Sequence, residues 1–345
     1  MKVLWLGAYW AGWDLLCRSL KSLKEYDVTL IRYDPPRAGD KRIPELVQNV
    51  ANETDFDAIV YVGVNGGTCL PTIDELIELR KFAPTIMLCP EASDRTWWHE
   101  LIEKYYEEEC FDLFVNVDGN PDWPYSENGI TRLTPIDTTP WKIPKSWEER
   151  KYLCGTWSNR TGVRDEILNA LNGDVVWHGN MPARPEYEEE DNIRSYDLYI
   201  DFNRNCKSVL NIAGVGTNGE TSLIGLIKNG DEPTLTGYGL TGVTITDIIN
   251  KGLREGRTHV KGRVIETGLA GATLIEQINA ETKRWFIPGE DYLTYSNINE
   301  IRQQIHWIGS HPDDAQKMAG SLHDKVIREH SPKVFWDDIF SKLFG

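Results

Sequence analysis

No run of eighteen apolar residues occurs in the 345-residue chain, which excludes a conventional membrane-spanning helix. C-x-x-C is also missing. The six cysteines, Cys17, Cys69, Cys89, Cys110, Cys154 and Cys206, are widely scattered, so neither a disulfide framework nor a zinc site is indicated, and buried reduced thiols are expected. Basic residues are few. Lys and Arg number 37 against 53 Asp and Glu, a net charge of −16, and a surface that tracks nucleic-acid phosphates must then concentrate its base locally. The loop after the first strand lacks G-x-G-x-x-G, which argues against a dehydrogenase, and Gly7 to Gly12 has P-loop glycine spacing without the following Lys. No internal repeat or low-complexity segment is visible. The N-terminus, Met1 to Gly7, enters a strand pattern directly and not a signal peptide, so a cytoplasmic location is expected.

What is present is globular. Hydrophobic residues make up 40% and charged residues 26%, as in soluble domains, and the length exceeds one usual core, so two domains are expected. The 13 Trp and 14 Tyr suit surfaces where sugars or bases stack, although core packing explains most of them.

In the first half, strands at 2–7, 28–33, 58–64, 85–89 and 113–117 alternate with helices at 14–23, 72–82 and 98–106. Continuous apolar strands that alternate with helices predict a parallel sheet covered on both faces, with ligands bound beyond the carboxyl ends of the strands. Three such ends carry special residues. Gly7 leads into the aromatic loop of Tyr9, Trp10 and Trp13, the second is Asn65-Gly-Gly67, and Cys89 to Asp94 places Glu91 and Asp94 where a general base is needed. Helix N-capping is the competing role for Asp94, and less so for Glu91, because Glu caps poorly. Prolines between Leu133 and Ser146 predict an interdomain connection, and we place the boundary near residue 147.

A second alternating series follows. The strand 151–154 runs into a loop from Gly155 and Thr156 to Arg160 and Arg164, whose two arginines at the head of a helix 165–171 suit a diphosphate as well as they suit solvent. The next strand, 174–177, ends in His178, Gly179 and Asn180. A helix from about 195 leads to the strand 208–212 and to a glycine loop, and 220–257 reads as a lid or insertion. In the stretch 261–276, Arg263 and Glu266 stand three apart at the head of a short helix 267–270, which Gly271 ends before the strand 272–275. This places a guanidinium and a carboxylate together at a helix N-terminus, where a phosphate is favoured. Glu266 then suits two ribose hydroxyls, and Arg263 and Lys261 suit phosphate oxygens; a solvated ion pair is the alternative. Helices with a break at His330 to Pro332 complete the chain.

Two facing Rossmann-like domains with a cleft between them resemble the GT-B glycosyltransferases. Arg160 to Arg164 preceded by Gly155 to Trp157, the strand end Trp177 to Asn180, the block Arg263 to Glu266 with Ala272 to Ile275 and Thr282-Lys283, and Trp336-x-Asp338-x-Phe340-x-Lys342 resemble the phage DNA β-glucosyltransferases. Lys261 to Glu266 with Phe286 to Glu290 equally resembles the bacterial spore-maturation-type glycosyltransferases, with Ile265 where their block has Phe, and Leu133 to Asp137 is similar to that group's interdomain signature.

The resemblance implies an α/β GT-B fold, with an acceptor domain at 1–147 and a nucleotide-sugar domain at 148–345 whose last helix returns to the first domain. It implies transfer from a UDP-linked sugar to a hydroxyl. Arg160, Arg164 and Arg263 would hold the diphosphate, Glu266 the ribose and Ile212 the uracil through its backbone, with Gly155, Thr156, Gly179, Asn180 and Lys261 around them. Glu91, with Asp94 second, would be the catalytic base. Retaining members with E-x7-E would carry Glu at position 258, where Thr258 stands, which favours inversion. The implied acceptor is 5-hydroxymethylated cytosine in duplex DNA, and the implied setting is a bacterial or phage-infected cytoplasm. Residues 1–146 carry roughly 15 Lys and Arg against 24 Asp and Glu, which favours a glycan, a lipid-linked sugar or a small molecule as the other acceptor. A binding module without chemistry is the non-enzymatic alternative. No tightly bound cofactor, no divalent metal, no obligate protein partner and no membrane span is required by the motifs.

Overall fold

The computed structural model describes residues 1–8, 11–33, 55–62, 72–90, 96–120, 128–158, 163–179, 189–212, 220–230, 236–254 and 259–345. The chain divides into two compact units. One comprises 1–140, 183–188 and 328–345, and the other 141–182 and 189–327.

The first unit is a parallel sheet of six strands in the order β2-β1-β3-β4-β5-β6. These are β1 Lys2–Ala8, β2 Asp27–Tyr33, β3 Ala58–Val62, β4 Thr85–Cys89, β5 Leu113–Asn116 and β6 Gly129–Thr131. Helices α1 Ala11–Lys21, α2 Ile73–Leu79 and α3 Thr96–Glu107 connect them. Helix α2 is short because its apolar face is short, and a capping box between Thr72 and Glu75 starts it. Strand β1 is buried on both sides. Leu4 and Leu6 join Tyr61, Met87 and Phe114 on one face, and Val3 and Trp5 join Val60, Leu88 and Val115 on the other. Strand β6 escapes sequence reading because its three residues, Gly-Ile-Thr, carry too little apolar pattern.

The second unit holds a parallel sheet of five strands, ordered β11-β10-β9-β7-β8. They are β7 Tyr152–Trp157, β8 Val176–His178, β9 Cys206–Asn211, β10 Thr273–Gln277 and β11 Tyr292–Tyr295. Its helices are α4 Val163–Ala170, α5 Glu189–Arg204, α6 Glu220–Asn229, α7 Ile245–Arg254, α8 Gly262–Ala270, the single turn α9 Thr282–Trp285, α10 Ile298–Ser310 and α11 Pro312–Glu329. Within 220–257, Ile224, Leu240, Ile248, Ile249 and Leu253 are buried in this unit's main core beside Leu210 and Ile275. That stretch, as far as it is described, is a layer of the domain rather than a surface addition.

Helix α12, Pro332–Phe344, belongs to the first unit. Its apolar face, Phe335, Trp336, Ile339 and Phe340, joins the core formed with β1 and α1. Trp336 is fully buried, meets Trp5 edge to face with centroids 5.9 Å apart, and donates its indole N–H to Ser19 Oγ at 3.0 Å. Arg132 on the loop after β6 pairs with Asp338 at 2.8 Å on the same helix. The five described cysteines, Cys17, Cys89, Cys110, Cys154 and Cys206, are buried, and Cys69 lies outside the described residues. No described helix is long and apolar enough to cross a membrane.

Removal of the Trp336 indole leaves a cavity against Trp5 and takes away the N–H that Ser19 Oγ accepts. Trp336→Ala is expected to destabilise the first unit by about 3–5 kcal/mol, read as a fall in the urea midpoint of its unfolding transition.

Candidate functional site

The site is built on α8. The sequence predicts its helix from Thr267, but the helix starts at Gly262, one and a half turns earlier, so Arg263 and Glu266 lie inside it. Packing is the reason. Val264 and Ile265 are buried with the small residues that follow, and burial of that face outweighs the weak helix propensity of Gly262. Lys261 is the N-cap residue and its side chain makes no cap hydrogen bond to the helix. At the other end Gly271 takes a left-handed conformation at φ 62° and closes the helix through N–H bonds to the Gly268 and Thr267 carbonyls. In the middle, a β-carbon on Gly268 would lie 2.7 Å from Val326 of α11, so glycine is what lets the two helices approach.

Glu266 is buried and accepts a hydrogen bond from the Tyr199 hydroxyl of α5 at 2.5 Å. Burial raises its carboxyl above the usual range, against the opposing pull of the Tyr199 bond and of Arg263. The Tyr199 phenol is pushed well up by its own burial and then by the Glu266 charge. Beneath them stands a second acid that the sequence reading did not single out. Glu276, on β10, is fully buried and accepts from the Asn211 amide at 2.7 Å on the neighbouring strand, while its other oxygen has no hydrogen-bond partner. Burial pushes this carboxyl up to about 8, again opposed by the Asn211 bond and by Arg263. The Arg263 charge thus opposes the rise at both acids, and its Nε–H is itself buried without a partner. A charged residue inside the apolar run Thr273 to Gln277 was the signal for Glu276, since such a residue is retained in a buried strand only with a partner.

The other expected residues lie at the carboxyl ends of β7, β8 and β9. Gly155 and Thr156 were expected in a loop but are strand residues, because β7 continues through Trp157 and pairs Gly155, Thr156 and Trp157 with Val176, Trp177 and His178. Gly155 is the close-approach point of α5. A β-carbon there would meet Cys206 Sγ at 2.4 Å and Phe202 at 2.8 Å. Thr156 is fully buried and its hydroxyl has no hydrogen-bond partner. Trp157 stacks on the exposed His178 ring with centroids 5.5 Å apart, a pair at the sheet rim that the sequence did not point to. Gly179 follows at once, and a β-carbon there would fall 2.0 Å from the Trp177 ring and 2.7 Å from the Ser158 carbonyl. Arg164, on the first turn of α4, donates its Nε–H to the Ile212 carbonyl at 3.3 Å, which brings together two residues chosen separately from the sequence.

Gly7 lies within β1 and not at its end. A β-carbon there would come 2.7 Å from the Trp5 indole nitrogen, so the chain's own aromatic ring uses the space the sequence assigns to a ligand. Trp13 falls within α1. Glu91, Asp94, Arg160, Asn180, Tyr9 and Trp10 lie outside the described residues. So does 213–219, whose sequence places Gly214, Gly216 and Gly219 at G-x-G-x-x-G spacing between β9 and α6. Among the described residues no group of three His, Cys, Asp or Glu could hold a metal ion.

Glu276 stays neutral up to about pH 8 in the folded chain and ionises near 4.5 when unfolded. The unfolded state is thus favoured progressively as pH rises through that window, by about 1.4 kcal/mol per pH unit. Glu276→Gln is expected to remove this slope, so that urea midpoints measured across the window fall less steeply with pH than those of the parent chain.

Comparison with known proteins follows from this geometry. Residues 243–341 match the family model described as glycosyl transferase-like, a span that contains α8 with Lys261, Arg263 and Glu266. A sequence search of curated proteins finds no match. Among solved structures, the chain is similar to HepE of Anabaena in complex with UDP, at 10% identity and TM-score 0.56, with 99% of each chain covered. A glycosyltransferase from Rickettsia africae is similar at 9% identity and TM-score 0.59, over 99% of this chain and 97% of that one. Sucrose-phosphate synthase from Thermosynechococcus elongatus is similar at 11% identity and TM-score 0.52, over 100% and 99%. The two parallel-sheet units therefore match the fold of the GT-B glycosyltransferase structures.

Proposed function

We propose that the chain transfers a sugar from a UDP-linked donor to a hydroxyl. The observation that carries the reading is the pair Arg263 and Glu266 on the first turns of α8, inside the segment matched by the glycosyl transferase-like family and beside the carboxyl ends of a parallel sheet. HepE, similar in fold, has been solved with UDP, with UDP and glucose, and with UDP-glucose, which supports UDP as the nucleotide.

In this reading Arg263 and Arg164, with Arg160 and Lys261, neutralise the diphosphate and the charge that grows on it as the glycosidic bond breaks. Glu266 accepts from the ribose. Tyr199 already engages one of its oxygens, so the other is the one offered to a hydroxyl. Gly155, Thr156, Gly179 and Asn180 shape the floor, and the Ile212 backbone faces the base. Glu91, with Asp94 as second choice, takes the proton of the acceptor hydroxyl as that oxygen attacks the anomeric carbon, which inverts its configuration.

Two acceptor classes follow from different observations. The motif resemblance favours 5-hydroxymethylated cytosine in DNA, reached by extrusion of the base. The net charge of −16 favours a glycan or small-molecule hydroxyl.

The test is nucleotide release from a panel of UDP- and GDP-sugars, with and without duplex DNA containing 5-hydroxymethylcytosine. Release from UDP-sugars is expected. Arg263→Ala is expected to lower kcat/KM by about ten- to a hundredfold, the loss of one charge-assisted contact. Glu266→Gln is expected to weaken UDP binding, and Glu91→Gln to lower kcat with little change in KM. UDP-sugar binding without release, including slow hydrolysis, would overturn transfer in favour of a binding module. Stimulation by the modified DNA would select the first acceptor class, and indifference to it the second.

A further inference from the structure

A second polar pocket lies at the opposite end of α8, away from the residues assigned to the donor. It has a volume of about 160 Å3, and its walls include Lys145, Trp147, Arg150, Gln316, Gly320 and His323, with Gly271 at its edge. Arg263 and Gly271 are eight residues apart, so the helix separates the two places by about 12 Å.

The formal charge of this wall is one-sided. Arg150, only 5% exposed, donates to the Lys145 carbonyl from Nε at 3.2 Å and from Nη2 at 3.1 Å, to the Ala270 carbonyl at 2.9 Å and to the Cys206 carbonyl at 2.7 Å. Four bonds from a five-donor group leave one N–H of Nη1. No carboxylate among the described residues pairs with it, and burial lowers its pKa to about 10. The Lys145 ammonium donates to the Asn205 amide oxygen at 2.8 Å and lies 3.6 Å from the exposed Asp201, which leaves it a further proton. His323 donates from Nδ1 to the Gly268 carbonyl at 2.9 Å, so Nε2 of the neutral ring is an acceptor. The Gly268 and Ala270 carbonyls of the α8 terminus are thus taken by the protein's own donors, and the donors that remain are those of two cations, Arg150 and Lys145. No Asp or Glu lines the pocket, in a chain whose acids outnumber its bases by 16.

We propose that this pocket is a second anion site, separate from the donor site, that takes a phosphate group as free phosphate or as a small phosphate monoester. A phosphate supplies acceptor oxygens only, which matches the donors left in the wall, and Trp147 offers an apolar face to whatever the phosphate carries.

Gly320 provides a clean test. No atom lies within 4 Å of the position its β-carbon would occupy, so a side chain there enters open space from the middle of a helix. Inorganic phosphate and a hexose phosphate are titrated calorimetrically into the full chain, into Gly320→Asp, into the neutral control Gly320→Ala, and into Arg263→Ala. The parent, Gly320→Ala and Arg263→Ala are expected to bind alike, and Gly320→Asp to lose at least about tenfold in affinity through like-charge repulsion. Tighter binding of the hexose phosphate assigns the pocket to a monoester, and equal binding to free phosphate. No binding by the parent, affinity unchanged in Gly320→Asp, or loss confined to Arg263→Ala would overturn the proposal, the last by placing the phosphate at the donor site.

Discussion

The close approach of α8 to α11 is the constraint on which the second unit's chemistry depends. Gly268 leaves no room for a β-carbon beside Val326, so the helix lies flat between the sheet and α11 with its whole length from Val264 to Ala270 buried. Depth has an electrostatic consequence. A helix held further out would leave Glu266 in water, where it would be one more ordinary surface acid; held in, it must share Arg263 with Glu276 and lean on the Tyr199 hydroxyl.

The same helix joins two polar environments. Its N-terminal turns carry groups suited to a nucleotide, and its C-terminal carbonyls are occupied by Arg150 and His323, which leaves donors on the far side. Both follow from one fact of helix chemistry, that the two ends expose opposite unsatisfied groups. At the first end Lys261 provides no side-chain cap. At the second the sequence supplies cations, and Gly271 keeps the path of Pro144 and Arg150 clear, since a β-carbon there would lie 2.6 Å from the proline ring.

Glycines recur at points of contact for a similar reason. Gly7 yields to Trp5, Gly155 to Phe202 and Cys206, Gly179 to Trp177 and Gly268 to Val326. In all four the neighbour that fills the space is a side chain of the protein itself. A glycine at a strand end thus carries two meanings in sequence, room for a ligand or room for the fold, and at Gly7 and Gly155 the second is the one realised.

The amino-acid sequence by itself determined the alternating order of strands and helices, because apolar runs of strand length between amphipathic segments leave few other ways to bury them. It also placed Arg263 and Glu266 three residues apart, a spacing that puts both on one helix, since such spacing is a local property. Local pattern did not reach two contacts, Asn211 of β9 with Glu276 of β10 and Tyr199 of α5 with Glu266 of α8, made across separations of 65 and 67 residues. Nor did it reach the true start of α8 or the extension of β7 through Gly155 and Thr156, where burial and strand pairing outweighed glycine's own preferences. Tertiary structure alone decided those, because the free energy of a buried charge depends on which groups lie within a few ångströms, and chain order does not record that distance.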